Sequence, residues 1–383
     1  MKQGKRMAER IGGMQDEKVA LVLSGGIGLG AYQAGAYAEL HEQGGRQPEW
    51  LVGSSIGAVN AAIIAGNPPE RRVERLRQFW EAAPGELGPL TTVWAIPPAH
   101  GPWRQAYNWM SVLQARLFGR PGLFRPHLLL PGVAGEASLG VYDLAPLRAR
   151  LEELVDFERL NGGEARVTVV TVDVSTGEEV VFDTRHGGGR IEPEHLLASC
   201  GFLPDFAPVE IGGRLLGDGG LAANTPLDAV LGERAAEDLL CFVLDLFARD
   251  GGRPQSLEAV VARRRDLIFA NQSRKSMEAH QREHRLRAMI GRLDGRMPAE
   301  LRNDPELASV LAEGIARAVT VLHLSYRAPA DEVAEKPFDF SPATLAERWD
   351  AGALDMAEAL RTLARVQKAA TRAPGLAIHA IRR

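Results

Sequence analysis

The sequence predicts an α/β fold in which a mostly parallel sheet is covered by helices on both faces. Apolar runs typical of buried strands alternate with helical patterns from residue 19 onward, an order that favours parallel strands joined by helices. With 383 residues, of which 45% are hydrophobic, the chain is also long enough to bury a large core. The expected architecture is therefore a three-layer α/β/α sandwich.

The first two strand-to-helix units carry clusters of glycine. The segment VALVLSGGIGLGAYQAG at 19–35 is an apolar run that enters a glycine-rich turn and a helix, and LVGSSIGAVNAA at 51–62 repeats the pattern with a serine at its tip. In the second unit, Gly53, Ser55 and Gly57 have the Gly-x-Ser-x-Gly spacing that exposes a nucleophilic hydroxyl on a sharp turn. Ser55 is therefore the predicted nucleophile.

The first glycine cluster is suited to bind the oxyanion that forms when a hydroxyl attacks an ester. Backbone N–H groups at a helix N-terminus stabilise negative charge, and the segment from Gly25 to Gly30 places such groups there. The predicted donors are the N–H groups of Gly25, Gly26, Ile27, Gly28 and Ile56.

A dinucleotide-binding loop is the rival interpretation of the same glycines. Gly26, Gly28 and Ala31 fit the pattern G-x-G-x-x-A. That site also requires an acidic residue at the end of the second strand to bind the ribose, whereas the second strand here ends in Gly53 and Ser54. The sequence therefore favours acyl transfer.

Asp218 is the predicted base for Ser55. The segment VEIGGRLLGDGGLAANTP at 209–226 has the pattern of a hairpin whose second strand ends in Asp218. The hairpin turns at Gly212 and Gly213, and Gly219 and Gly220 follow the aspartate. The carboxylate should therefore lie at a strand tip, closely packed against backbone.

Other acidic residues and histidines fit a catalytic role less well. Asp250 also precedes two glycines, but Pro254 follows shortly after, which favours a solvated turn. A hydrolase triad would need a histidine after the aspartate in the chain. His280 and His284 lie in a polar run, where a solvated helix face is expected, and His323 lies in an apolar run and is expected to be structural. A dyad without histidine, metal or cofactor is predicted.

These motifs resemble those of the patatin-like phospholipase family. Members carry a glycine-rich oxyanion loop, a Gly-x-Ser-x-Gly elbow and an Asp-Gly-Gly or Asp-Gly-Ala motif in this order, and the matching motifs span residues 19–230. The resemblance implies a patatin-like fold and a dyad of Ser55 and Asp218 that acts on lipid esters. The family loop usually reads Gly-Gly-Gly-x-Arg/Lys-Gly, whereas this chain has Ile27 and Leu29 at the third and fifth positions. Since β-branched residues resist positive φ, we expect either a negative φ at Ile27, which we favour, or a distorted oxyanion hole.

The chain is predicted to divide into three parts. Residues 1–16 form a flexible N-terminus, residues 17–250 the catalytic domain, and residues 251–383 a helical C-terminal extension with one late strand at 318–326. Residues 84–140 interrupt the catalytic domain with many prolines and aromatic residues. They are expected to form a lid or acyl-chain pocket over the active site, or else an aromatic mini-core.

Composition limits the partners and the location. A net charge of −4 gives no electrostatic reason to expect nucleic acid as a partner. The two cysteines, Cys200 and Cys241, lie in apolar surroundings and suit a reducing compartment. The N-terminus has no apolar signal segment, and no run approaches about eighteen apolar residues. We therefore expect a cytoplasmic protein whose membrane contact is at most peripheral.

The sequence thus predicts a lipid acyl hydrolase that cleaves carboxylic esters through an acyl-enzyme. Two alternatives remain open. The same dyad would serve an acyltransferase or a thioesterase, which differ only in the acceptor or the leaving group. Ile27 in place of glycine also leaves room for a non-catalytic lipid-binding protein.

Overall fold

The computed structural model describes residues 17–82, 100–127, 139–185, 189–235, 237–302, 304–314, 317–329, 331–369 and 374–381. The strands are β1 (Lys18–Leu23), β2 (Trp50–Ser54), β3 (Arg125–Pro126), β4 (Tyr142–Asp143), β5 (Arg166–Asp173), β6 (Glu179–Asp183), β7 (Val209–Ile211), β8 (Arg214–Asp218), β9 (Leu239–Asp245), β10 (Ala318–Ser325) and β11 (Gly375–Ala380).

The helices among these residues are α1 (Gly30–Gln43), α2 (Ile56–Ala65), α3 (Pro69–Ala82), α4 (Pro102–Phe118), α5 (Ala145–Leu154), α6 (Phe157–Asn161), α7 (Pro193–Ser199), α8 (Gly220–Ala223), α9 (Asp228–Leu231), α10 (Leu257–Asp294), α11 (Ala299–Arg302), α12 (Pro305–Leu311) and α13 (Pro342–Ala369). Short 3₁₀ turns cover Ile27–Leu29 and Lys336–Phe338.

Nine strands form one central sheet in the order β11-β10-β9-β1-β2-β5-β8-β7, with β6 also paired to β5. The strands from β11 to β5 are all joined by parallel pairs, while β6, β7 and β8 join through antiparallel pairs. The hairpin of β7 and β8 turns at the two glycines that the sequence predicted. The mostly parallel sheet of the predicted α/β fold is confirmed.

Side chains of the central strands alternate between two cores, one on each face of the sheet. In β1, Val19, Leu21 and Leu23 enter one core, and Ala20 and Val22 enter the other. The first core includes side chains of α1, α2 and α13, and the second includes side chains of α9 and α10. The sheet therefore forms the middle layer of the predicted three-layer sandwich.

The C-terminal region contributes more to the core than the sequence predicted. β10 confirms the late strand, and β11, which the sequence reading missed, pairs with it in parallel. α13 crosses α1 in close contact. A Cβ on Gly35 would lie 1.9 Å from the Trp349 carbonyl oxygen, and a Cβ on Gly352 would lie 1.9 Å from the Tyr32 carbonyl oxygen. Glycine at both positions is what allows the two backbones to approach.

The predicted insertion at 84–140 is described only in part. Trp94 and the rest of 83–99, together with 128–138, lie outside the described residues. Trp103 on α4 is 68% exposed, whereas Phe124, which follows the helix, is buried against the rings of Tyr142 and Phe206. The described part therefore contains both a buried aromatic cluster and exposed aromatic side chains.

The register of the sheet brings the chemical motifs to one edge. Gly53 of β2 pairs with Leu23 at the end of β1, so the glycine loop and the serine turn leave the sheet side by side. On β5, Val170 pairs with Ser54 at the end of β2, and the next residue, Thr171, pairs with Asp218 at the end of β8. β6 pairs with one edge of β5, so β2 and β8 share the opposite edge, where β8 follows directly after the end of β2. This arrangement brings Asp218 beside the serine turn.

Candidate active site

Ser55 lies at a strained turn between β2 and α2. Its φ of 55° and ψ of −128° form a backbone conformation that L residues rarely adopt. The flanking glycines are needed for space. A Cβ on Gly53 would lie 2.4 Å from the Ala58 backbone nitrogen, and a Cβ on Gly57 would lie 2.2 Å from the Leu23 carbonyl oxygen. The turn thus has the features of a nucleophile elbow.

A second serine, Ser199, supports this turn from the end of α7. The backbone N–H of Ser55 donates to Ser199 Oγ at 2.8 Å, and the Ser199 hydroxyl donates to the Val170 carbonyl at 2.7 Å. The turn is therefore bonded to β5 through one buried hydroxyl. Sequence reasoning missed this residue, because 144 positions separate it from Ser55.

Asp218 is the carboxylate nearest this turn in the sheet register, and only 2% of its surface is exposed. It accepts a hydrogen bond from the Gly220 N–H at 2.7 Å and lines the same pocket as Ser55. Burial raises the pKa of Asp218 from 3.8 to about 7, although the neighbouring Ser55 hydroxyl and the Gly220 N–H lower it. Gly219 is required beside it, because a Cβ there would lie 2.5 Å from the Val170 carbonyl oxygen. A carboxylate with this pKa is suited to accept a proton from a hydroxyl near neutral pH.

The glycine loop has several backbone N–H groups without an internal acceptor. The Gly25 N–H donates to the Asn224 carbonyl at 3.1 Å, and the Asn224 side-chain amide donates back to the Gly25 carbonyl at 3.2 Å. Gly25 is therefore not available as an oxyanion donor, against the sequence prediction. The N–H groups that donate to no described residue are those of Gly26, Ile27, Gly28 and Ile56. Such groups are expected at helix N-termini, where they can bind an anion.

Ile27 has a φ of 50°, so the expectation of a negative φ is wrong. A β-branched residue in the left-handed region carries strain of about 1–3 kcal/mol, which persists only where the surroundings hold the backbone in place. Among the described non-glycine residues, only Ile27 and Ser55 have positive φ, and both line the same pocket. Backbone strain is thus concentrated at this one site.

Two pockets meet at Ser55. The first, of about 440 Å³, contains polar groups from Asp218, Asn224, Asp205 and Arg265 between phenylalanine rings. The second, of about 430 Å³, is almost entirely apolar. Its lining includes Leu123, Phe124, Leu144, Leu147, Phe206 and Phe340, and Ile27, Ser55 and Phe202 belong to both pockets.

Comparison with known families shows to which family the chain belongs. A family model described as patatin-like phospholipase matches residues 21–231, more than half of the chain. The chain belongs to the patatin-like phospholipase family. A second model, described as patatin phospholipase, matches residues 267–371, so the C-terminal region is also related to patatins. No curated protein matches the chain in sequence.

Solved structures related to this patatin-like phospholipase are distant. VipD from Legionella pneumophila is 14% identical with a TM-score of 0.39, and the match covers 91% of this chain and 67% of that one. Human GIVD cytosolic phospholipase A2 is 14% identical with a TM-score of 0.27, over 63% of this chain and 43% of that one. ExoU from Pseudomonas aeruginosa is 17% identical with a TM-score of 0.25, over 70% of this chain and 52% of that one.

The histidines that the structure describes in this patatin-like phospholipase take part in contacts outside the two pockets. No described histidine lines either pocket at the serine. His280 and His284 are buried, so the prediction of a solvated face is wrong at these positions. His280 Nε2 lies 2.5 Å from Asp228 Oδ1, and His284 Nε2 lies 3.0 Å from the Leu231 carbonyl oxygen. Both therefore hold α10 against α9, a contact that the polarity of the surrounding run does not reveal.

The side chains that could bind a metal ion are spread over the described ranges. Within them, no three side chains of the types His, Cys, Asp and Glu gather closely enough to hold a metal ion. Asp250 is exposed beside Arg249, as expected for a solvated turn. His323 is mostly buried, with Nε2 3.5 Å from Asp245 Oδ2, as expected for a structural residue.

A buried arginine from the C-terminal patatin match contacts the glycine loop. Arg348 has no exposed surface, and its Nη1 donates to the Gly28 carbonyl at 3.0 Å and to the Asp339 carbonyl at 2.9 Å. Its Nη2 donates to the Lys336 carbonyl and to Glu332 Oε1, both at 2.8 Å. A hydrogen bond from a charged donor stabilises the folded state by about 1.5–3 kcal/mol. This free energy is similar to the strain of a residue with a left-handed backbone, such as Ile27. Sequence reasoning missed this contact because 320 positions separate its two residues.

Exposed apolar side chains lie on two neighbouring helices, one of which also lines the first pocket. This apolar face consists of Trp103, Trp109, Leu113, Leu117 and Phe118 on α4, and of Leu257, Val260, Val261, Leu267 and Ile268 on the first turns of α10. Trp109 Nε1 donates to Glu258 at 3.0 Å, so the two helices are neighbours. Arg265 and Phe269 of the same α10 segment line the pocket of Ser55. None of the helices described is both long and apolar enough to cross a membrane.

Proposed function

We propose that this protein is a lipid acyl hydrolase in which Ser55 is the nucleophile and Asp218 its general base. The observation that carries the proposal is the strained Ser55 in the same pocket as the buried carboxylate of Asp218, whose pKa is about 7. A base with a pKa near the working pH combines a large ionised fraction with enough basicity to take a proton in the transition state. Membership in the patatin-like phospholipase family supports the same chemistry.

The reaction follows from these positions. Ser55 Oγ attacks the ester carbonyl carbon while its proton passes to Asp218, and the carbonyl electrons move to oxygen. The oxyanion accepts hydrogen bonds from the free N–H groups of Gly26, Ile27, Gly28 and Ile56. When the tetrahedral intermediate collapses, the alcohol leaves with the proton from Asp218. A water molecule then attacks the acyl-enzyme with Asp218 again as the base, which releases the fatty acid and restores Ser55.

The two pockets support a lipid as the substrate. The apolar pocket beside Ser55 suits an acyl chain, because it offers almost only hydrocarbon contacts. The other pocket contains the charged side chains of Asp205 and Arg265 and suits the polar leaving group. This assignment places the scissile carbonyl at the junction of the pockets, where Ser55 belongs to both.

The exposed apolar face supports peripheral contact with a lipid surface. Large apolar patches on a soluble protein mark interaction sites, and tryptophan is favoured at the boundary between water and lipid. Arg253 and Arg264 are exposed next to the α10 part of this face, and basic residues there favour anionic lipid. The proposed docking face would bring the pocket mouth to the membrane, so that a lipid need not cross open water to reach Ser55.

A fluorophosphonate tests the dyad directly, because it phosphonylates only an activated serine. The wild-type protein should be labelled at Ser55 and should hydrolyse a short-chain p-nitrophenyl ester, whereas Ser55→Ala should do neither. Ser54→Ala is the matched control, since it removes a buried hydroxyl one residue earlier that has no partner among the described residues. Labelling that persists in Ser55→Ala would refute the assignment.

The same experiment separates the alternatives. An acyltransferase or thioesterase would also be labelled at Ser55, but it would turn over faster with an added alcohol acceptor or with a thioester than with water and an oxygen ester. A non-catalytic lipid-binding protein, which the strain at Ile27 still motivates, would bind lipid without labelling at Ser55.

A further inference from the structure

The left-handed backbone at Ile27 needs an explanation outside the loop itself. Glycine would occupy this conformation without strain, but a β-branched side chain resists it, and strain of this kind persists only where neighbouring structure fixes the backbone. The next residue, Gly28, is where the C-terminal region meets the loop. A Cβ on Gly28 would lie 2.8 Å from the Pro337 carbonyl oxygen and 3.3 Å from Arg348 Nη1.

We infer that Arg348 is a positioning residue that holds the oxyanion loop in its strained conformation by binding the Gly28 carbonyl. The inference rests on the proposed hydrolase function, because it assigns Arg348 to the geometry of the proposed oxyanion hole. Arg348 touches no reacting atom. It acts through Gly28, whose carbonyl cannot stay bound to the guanidinium if the preceding residue rotates to a negative φ.

The arginine is itself held firmly enough to act as a clamp. Its Nε and Nη2 both donate to Glu332 Oε1, at 3.0 Å and 2.8 Å, and Tyr326 donates to the same oxygen at 2.7 Å. The Lys336 and Asp339 carbonyls fix the rest of the guanidinium. Burial alone would lower the pKa of Arg348, but the Glu332 carboxylate raises it, so the charge is retained.

A lysine cannot replace this arrangement. The guanidinium offers five N–H donors in a planar fork, which here serve three carbonyls and one carboxylate, whereas an ammonium offers three donors at one point. Arg348→Lys keeps a positive charge near Glu332 and should release Gly28. Tyr326→Phe is the matched control, because it removes a hydrogen bond to Glu332 from the same network but does not touch the loop.

A double-mutant cycle with Ile27→Gly tests the clamp. In the natural background, Arg348→Lys should lower kcat about 10- to 100-fold with KM unchanged within about threefold, the scale of a displaced oxyanion donor. In the Ile27→Gly background the same change should cost less than about threefold, because glycine keeps the positive φ without a clamp. The rate of fluorophosphonate labelling at Ser55 should follow kcat, and Tyr326→Phe should leave both within about threefold.

Equal losses in the two backgrounds would overturn the inference, as would a loss of kcat in Tyr326→Phe that matches Arg348→Lys. If Arg348→Lys does not fold, Arg348→Met combined with Glu332→Met removes both buried charges together and serves in the same cycle. A crystal structure of the folded variant gives a readout independent of activity. If φ at position 27 stays positive without Arg348, the inferred role of Arg348 is wrong. If the wild-type protein is not labelled at Ser55, the proposed function is wrong instead.

Discussion

The raised pKa of Asp218 leads to a specific dependence of activity on pH. In the proposed mechanism the carboxylate must be ionised to accept the proton of Ser55, and its pKa is about 7 because the group is buried. About half of the free enzyme is then active at pH 7, about a tenth at pH 6 and about a hundredth at pH 5. We therefore expect kcat/KM to fall about tenfold per pH unit below 7 and to level off above about 8. The product of a short-chain ester should be measured by chromatography, since the absorbance of p-nitrophenol itself changes with pH.

The raised pKa of Asp218 also predicts how the stability of the folded protein depends on pH. The folded protein binds the Asp218 proton more tightly than the unfolded chain, so the free energy of unfolding falls as pH rises from about 4 to about 7 and is then constant. A pKa raised from 3.8 to about 7 corresponds to roughly 4 kcal/mol in total, of which roughly 2 to 3 kcal/mol lies between pH 5 and pH 8. Asp218→Asn cannot ionise, so its stability relative to wild type should increase by that amount between these two pH values.

Denaturant unfolding of both proteins at pH 5 and pH 8 measures this difference. Asp250→Asn is the matched control, since the same substitution at an exposed aspartate should leave the two stability curves parallel. The prediction is wrong if the free energy of unfolding changes equally in Asp218→Asn and in wild type between the two pH values, and if kcat/KM stays constant down to pH 5. That pair of results would mean that Asp218 has an ordinary pKa in the folded protein.

Three further predictions concern residues around the serine. Ser199→Ala should lower the melting temperature and reduce kcat/KM about tenfold, because the Ser55 N–H loses its buried acceptor; unchanged kinetics would contradict this. Replacement of Trp103 and Trp109 by Ala should lower activity on micellar long-chain esters more than on soluble short ones, whereas equal loss on both with a lower melting temperature would indicate a structural role. Ile27→Gly should change kcat by less than about threefold in steady-state assays, since the backbone already has a positive φ; a gain near 100-fold would show that isoleucine displaces a donor.

The parts of the site that the sequence predicted are those with short-range causes. The Gly-x-Ser-x-Gly spacing predicts the elbow because neighbouring backbone lies too close to Gly53 and Gly57 for any side chain there. The hairpin before Asp218 turns at two glycines that both have positive φ, a conformation that local sequence selects. The alternation of strand and helix patterns along the chain was likewise enough to predict the mostly parallel sheet.

The parts that the sequence did not predict depend on contacts between distant segments. β11 is a short run whose strand character comes from its partner β10, and its pattern alone does not distinguish it from a loop. His280 and His284 read as polar surface because nothing nearby in the chain shows that α9 covers them. The φ of Ile27 was predicted from intrinsic preference, and the tertiary surroundings outweigh that preference.

The glycine loop from Gly25 to Gly30 is therefore held by residues of both patatin matches and not of the first alone. The helix that follows the loop, α1, is crossed by α13 at Gly35 and Gly352, where only glycine leaves room for the neighbouring backbone. The carbonyl of Gly28 in the loop is bonded by Arg348 from the same α13. The boundary predicted at residue 250 separates segments of the chain but not parts of the core, since β10 pairs with β9 directly across it. A change in the C-terminal region can thus alter the geometry beside Ser55 without contacting the serine or its base.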